Sequence, residues 1–154
     1  MKRLSDRLER LLSQLEGLDR ENRIRALIDT AERFRPVPSR VAVRPYPADH
    51  RVPGCESEAY VWAEPNPDGT LTFHFAVENP EGISAMALAV LLRESLSGAP
   101  LAEVASIPTD MIYRVFSKEL SMGKALGLAG MVGKVRAVAQ HRIGENVLQE
   151  RHGA

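Results

Sequence analysis

The sequence predicts an α+β chain, a small antiparallel sheet packed against helices in a single domain, and three observations predict it. Leucines and isoleucines recur at helical spacing near the N-terminus, one pair of β-rich segments flanks a dense turn, and the second half returns to helical spacing with a segment apolar nearly all round. With 154 residues, 44% of them hydrophobic, the chain is one domain large enough to bury a core without disulfides or a structural metal.

Residues 5–16 read as a first helix, with Ser5 as N-cap, Asp6 at the favourable end of the dipole and Leu8, Leu11, Leu12 and Leu15 on one face. Gly17 closes it. Asp19 caps a second helix that runs to Phe34, in which Ile24, Leu27, Ile28 and Ala31 recur at three and four residues and Arg20, Glu21, Arg25, Asp29 and Arg33 take the wet side. Between residues 35 and 54 stand Pro36, Pro38, Pro45, Pro47 and Pro53, a density that excludes helix. This crossing segment reads as a long ordered loop or as a short edge strand at 40–44 with flanking loops.

The hairpin is expected within residues 57–78. Its strands are 59–63 and 71–77, and Pro65-Asn66-Pro67-Asp68-Gly69 supplies the turn. Phe73, Phe75 and Val77 share one parity and face the core, which puts His74 on the opposite, surface side. Asn79-Pro80-Glu81 is the clearest helix start, leading into a central buried helix to Leu96 with Gly98 as its stop. Ile83, Met86, Val90, Leu91, Phe73, Phe75, Leu128, Met131 and Val135 form the expected core. Two shorter helices follow at 100–105 and 109–120, and a last one from Gly123 to Gln140, completing a helical half over 80–140 with a fraying tail at 141–154. Four glycines in that last helix (Gly123, Gly127, Gly130 and Gly133) each cost up to about 1 kcal/mol relative to alanine. Tolerating them implies that another backbone or a partner comes close.

Charge and motifs exclude several functions. Twenty basic and twenty acidic residues give no net field to attract nucleic acid or an anionic membrane. No apolar run has transmembrane length, and the charged N-terminus is the reverse of a signal peptide, so a cytoplasmic location is expected. Gly123-Lys124 and Gly133-Lys134 lack the earlier glycine and following Ser or Thr of a phosphate-binding loop. The four histidines have no paired spacing and one cysteine completes no zinc site, so neither metal nor cofactor is expected.

Cys55, the only cysteine, stands where a turn becomes the best strand in the chain: Pro53 fixes its own φ, Gly54 can take a positive φ, and Glu56, Ser57 and Glu58 follow. A lone cysteine is commonly a small buried hydrophobe. Its polar, turn-forming neighbours argue instead for a thiol presented rather than packed, with the turn still sheltering it in part until a partner draws it out.

At Gly54-Cys55-Glu56-Ser57 and the aromatic-bearing strand after it, the chain resembles the SufE family of sulfur acceptors, which shows a Gly-Cys-Gln-Ser turn preceded by two helices and followed by a hairpin. A second block, Leu120-Ser121-Met122-Gly123-Lys124-Ala125-Leu126-Gly127, is similar to the Leu-x-Pro-x-Arg-x-x-Gly run that enters the family's last helix, with Met131 where Ala-Met is common. Glu56 replaces glutamine, Tyr60 stands at the usual tryptophan with Trp62 two residues later, Met122 replaces proline, Lys124 replaces arginine, and His50 lies where asparagine is frequent. Lysine lacks the planar fork of arginine.

The resemblance implies a single SufE-like domain over residues 1–154, with a fold shared with IscU-type iron–sulfur scaffolds. It also implies that Cys55 takes sulfur from a cysteine desulfurase (SufS-like), stimulates that enzyme and passes the sulfur toward a SufBCD-like scaffold. On that reading the chain is a transpersulfuration partner rather than a stand-alone enzyme. It carries no cofactor of its own, exists as a monomer or weak homodimer, and uses His50, Gly54, Glu56, Ser57, Lys124 and Gly127 to bind its partner. The alternatives are a desulfurase-binding regulatory adaptor with Cys55 incidental, an iron–sulfur scaffold, which needs more thiolates than one, and a one-cysteine peroxide reductase, for which no motif is present.

Overall fold

In the computed structural model, which describes residues 5–117 and 120–152, helices surround one antiparallel hairpin. Helix α1 (Asp6–Glu16) starts where Ser5 Oγ accepts from the Leu8 amide, and it buries Leu8, Leu12 and Leu15. Helix α2 (Arg20–Glu32) is capped by Asp19, whose carboxylate accepts from the Asn22 amide at 2.8 Å. Both caps answer orphan N–H groups of a first turn. The inward stripe of α2, however, is Arg23, Leu27 and Thr30 at three and four residues, continued past the helix end by Phe34, so Ile24 and Ile28 are each 44% exposed, contrary to the face read from sequence.

Strand β1 (Ala59–Pro65) pairs with β2 (Leu71–Val77) in the register Ala59 to Val77 through Pro65 to Leu71. The turn is closed by Asn66 and Thr70, with Gly69 at φ 88°. Phe73 and Phe75 are buried on the inner face as expected. The outer face is covered too. Residues 35–54 form neither helix nor edge strand, apart from a one-turn 3-10 segment at Ala48–His50, and they cross the hairpin so that Val37 packs on Trp62 and Ala76. A single bond, Val37 amide to Phe75 carbonyl at 2.8 Å, ties this strap to β2. His74 is therefore only 3% exposed and not a surface residue; its Nε2 meets Glu64 Oε1 at 3.1 Å, and Arg40 clasps the same carboxylate. A buried ring nitrogen finds its partner here within the sheet.

Helix α3 (Ile83–Leu96) is the central helix, with Leu88, Leu92 and Leu96 fully enclosed and Val90 and Leu91 buried. Its start lies later than Asn79. The Asn79 side chain instead accepts from the Glu81 amide in a turn, Gly82 caps the helix, and Ile83, expected in the core, is 47% exposed on the first turn. Met86 is half-buried. Gly98, at φ 80°, ends the segment and donates to the Leu71 carbonyl.

Helix α4 (Leu101–Val104) and a 3-10 turn at Thr109–Met111 leading into α5 (Ile112–Phe116) replace the expected helices at 100–105 and 109–120. The second is shorter because Ser117 takes φ 60°; Lys118 and Glu119 lie outside the described residues. Helix α6 (Met122–His152), 31 residues long, does not stop at Gln140 but continues unbroken to His152; Gly153 and Ala154 of the expected tail lie outside the described residues. Its inward residues Leu128, Met131, Val132 and Val135 are buried and Val138 is half-buried.

Candidate functional site

Between the proline-rich strap and β1, the chain makes a closed loop. The Val52 amide donates to the Ala59 carbonyl at 2.8 Å, Arg51 bridges to Tyr60, and the Glu58 amide donates to Cys55 O. Gly54 turns the tip at φ 69° and Glu58 returns the chain at φ 52°. Positive φ is the region L side chains avoid, which explains glycine at the tip. The loop is fastened to the turn before α3, where the Asn79 amide donates to Ser57 O and the Glu78 amide to Glu58 O.

The underside of this loop rests on the first half of α6. A Cβ added at Gly127 would lie 3.0 Å from Cys55 Cα and 3.3 Å from its Sγ, and one at Gly130 would lie 3.1 Å from Val52 Cγ1. Ordinary carbon contacts begin several tenths of an ångström further out. The glycine-rich helix predicted to meet another backbone thus meets this one, and the helical cost of those glycines is offset by the approach of the Cys55 loop. Because the loop sinks onto a helix without side chains there, Cys55 is only 7% exposed, and the reading of a thiol presented rather than packed is corrected. The expected partial shelter is what the geometry has.

Cys55 nonetheless opens on one side. A cavity of about 210 Å³ is lined by Cys55, Glu56, Ser57, Asn79, Ser84 and Lys124, with Glu81, Gly82, Gly123, Gly127 and Leu128. Lys124 from α6 brings a cation to this lining, alongside the carboxylates of Glu56 and Glu81. Glu56 also reaches the first turn of α6, its Oε1 3.2 Å from where a Gly123 Cβ would stand, so its charge meets the positive end of that helix.

Of the residues predicted from sequence, Cys55, Glu56, Ser57, Lys124 and Gly127 come together at this cavity. Gly54 shapes the loop without lining it. His50 is elsewhere: its Nδ1 donates to the Val61 carbonyl at 2.9 Å and its ring stacks on Trp62, 5.2 Å between centroids, in a cluster with Tyr46 and Tyr60. Asn79, Glu81 and Ser84 were missed, since Asn79-Pro80-Glu81 carries the signature of a helix start and reaches the cavity only through the fold. Lys134 was missed as well; its Nζ donates to Asp49 O at 2.8 Å, tying α6 to the segment that enters the loop.

Fold and site together define a class: a single-domain α+β protein holding one sheltered thiol between a closed loop and a glycine-faced helix. The family model described as "SufE: Fe-S metabolism associated domain" matches residues 9–139, so the chain belongs to the SufE family and is associated with iron–sulfur metabolism. A hypothetical protein from Thermus thermophilus, solved in solution, superposes with a TM-score of 0.76 at 23% identity over 92% of this chain and 99% of that one. That likeness speaks for the fold. A search of the curated proteins gives no significant match. Among the described residues no helix is long and apolar enough to cross a membrane.

Proposed function

We propose that this protein accepts sulfur on Cys55 from a cysteine desulfurase, stimulates that enzyme by taking its persulfide, and passes the sulfur on for cluster assembly. The observation that carries the reading is the lone thiol, enclosed against Gly127 yet bordering a cavity of about 210 Å³ with Lys124 in its wall. In the transfer the Cys55 thiolate attacks the outer sulfur of the donor's persulfide. The bond between the donor's two sulfurs breaks, the donor cysteine leaves as a thiolate, and a new S–S bond leaves Cys55 as the persulfide. Two electrons stay with the leaving sulfur, so no external oxidant or reductant takes part.

The surroundings suit each stage. The cavity has room for one added sulfur, the Lys124 ammonium offers a counter-charge to a persulfide anion, and the low exposure of Cys55 limits its loss to free thiols or oxidants. The donor and the downstream scaffold carry the cluster chemistry; this chain contributes one thiol and its enclosure.

The test is desulfurase turnover with the parent, Cys55→Ser and Lys124→Ala. The parent should stimulate, Cys55→Ser should bind without stimulating, and Lys124→Ala should fall between them. Stimulation by Cys55→Ser equal to the parent's would make the chain an adaptor and the covalent step wrong.

A further inference from the structure

Two surfaces hold the Cys55 loop, and they hold it by different means. Beneath it, α6 offers the bare close approach of Gly127 and Gly130. Beside it, the turn between β2 and α3 makes directed bonds. Pro80 fixes one backbone angle of that turn, and the Gly82 amide closes it by donating to the Asn79 carbonyl at 2.9 Å. Asn79 stands at the head of the turn and faces the loop. Its Oδ1 accepts from the Glu81 amide at 3.0 Å, which orients the side chain within the turn. Its own backbone amide donates to Ser57 O at 3.2 Å, and its Nδ2 donates to Glu56 O at 3.5 Å, the longest of the three and the first to part. Gly82 lies against the same stretch: a Cβ there would stand 3.0 Å from Ser57 Cβ and Oγ.

We propose that Asn79 is a positioning residue for the sulfur-accepting thiol, its side chain latching the residues after Cys55 so that the loop stays shut on α6 until the latch parts. The proposal rests on the sulfur-acceptor reading and adds the contact that sets when the thiol leaves its shelter. Three observations carry it. Among the described residues, the hydrogen bonds that reach residues 55–58 from outside the loop come only from Glu78 and Asn79, and only the one from Asn79 Nδ2 is made by a side chain. Gly54 at φ 69° and Glu58 at φ 52° bracket the latched stretch, while the Val52 amide to Ala59 carbonyl bond closes the base of the loop, so residues 55–57 can swing without parting the hairpin. Asn79 also lines the cavity on which Cys55 opens, so the latch stands at the thiol's exit. Opening of this kind is local, governed by the few bonds it breaks rather than by the stability of the whole fold. A latch that slows entry of sulfur slows its loss as well.

The experiment follows Cys55 of the full chain by iodoacetamide alkylation across pH, read at the high-pH plateau where every thiol is ionised, so that a change in ionisation does not count. It also follows sulfur uptake from a cysteine desulfurase and loss of that sulfur to dithiothreitol. Asn79→Ala should raise the plateau by about 2- to 10-fold, the factor that one intramolecular hydrogen bond is worth, and should speed both uptake and loss. Asn79→Asp keeps an acceptor for the Glu81 amide but lacks the Nδ2 donor, so it too should be faster than the parent. Recovery of the parental plateau by Asn79→Asp would make the residue a turn former only and overturn the proposal. Gly82→Ala, whose Cβ would press on Ser57, should act in the same direction and serves if Asn79→Ala loses its fold. Leu92→Ala loosens the core away from the latch and should keep the parental plateau; equal acceleration there would mean general loosening and overturn the proposal. A raised plateau with parental uptake and loss overturns it as well. If the plateau is parental in both Asn79→Ala and Gly82→Ala while the parent gains sulfur on Cys55, the latch is rejected and the acceptor function stands. If the plateau rises but the parent never gains sulfur, the latch stands as a gate on the thiol and the acceptor function is rejected.

Discussion

Two helices carry the centre of this molecule and do so in opposite ways. Helix α3 packs by side chains: Leu88, Leu92 and Leu96 are fully enclosed and Ala85 and Ala89 fill the narrower gaps. The first half of α6 packs toward the Cys55 loop by their absence, since Gly127 and Gly130 let the backbone of residues 52–55 come to contact distance. The first arrangement lowers the energy of the whole fold. The second gives up helix propensity to fix where one thiol stands, so damage to α3 should unfold the protein and damage to α6 should misplace the thiol.

The largest expected effect is on the α3 side. Leu92→Ala should cost about 2–5 kcal/mol, the range for a buried leucine that leaves a cavity, read from denaturant unfolding. Cys55 alkylation in the folded variant should stay at the parental rate. Next comes Gly127→Val, whose side chain would drive into the Cys55 backbone and should cost about 1–3 kcal/mol. Here the alkylation rate should rise, because the loop must lift. A variant as stable as the parent with an unchanged thiol would break the contrast between the helices.

Gly144 sharpens the same contrast from the other end of α6. Nothing stands within 4 Å of where its Cβ would be, so Gly144→Ala should stabilise by up to about 1 kcal/mol. A loss there would mean that the second half of the helix is also covered.

Much of this was legible in the sequence, for reasons that stay local. Ser5 and Asp19 announce helix starts because a short polar side chain answers nearby N–H groups, and Pro65 to Gly69 announces a turn by backbone preference alone. The glycines of α6 were legible as a contact because their helical cost demands compensation. What escaped depends on distant segments. His74 read as exposed from strand parity, and only the strap that brings Val37 onto Trp62 and Ala76 covers that face. Asn79-Pro80-Glu81 fits a helix cap and a turn equally well by local chemistry, and the bonds to Ser57 and Glu58 place it in the turn. Ile24 and Ile28 fit an inward face as well as the neighbouring stripe does, and the packing of α2 on α3 selected Leu27 and Thr30. Within the site, Cys55 and Lys124 were found by motif, while Ser84 had no local mark.

The smallest predicted effect concerns the covered outer face of the hairpin. Hydrogen bonds from Arg40, and then from His74, hold the Glu64 carboxyl from an ordinary 4.5 down to about 2. A folded-state pKa lowered in this way contributes stability above pH 4.5 that is lost as pH falls toward 2. Glu64→Gln should therefore flatten the acid limb of the stability profile in that window and leave Cys55 reactivity as it was. An acid limb identical to the parent's would mean that the Arg40 pairing contributes nothing in solution.

The most direct test of the account is intact mass after incubation with a cysteine desulfurase and free cysteine. The parent should gain the mass of one sulfur atom, reversible by a reducing thiol, with the added atom mapped to the peptide containing Cys55. Cys55→Ser, still folded, should gain none. A parent that stimulates the desulfurase yet never carries sulfur on Cys55 would contradict the claim that this enclosed thiol is a sulfur acceptor.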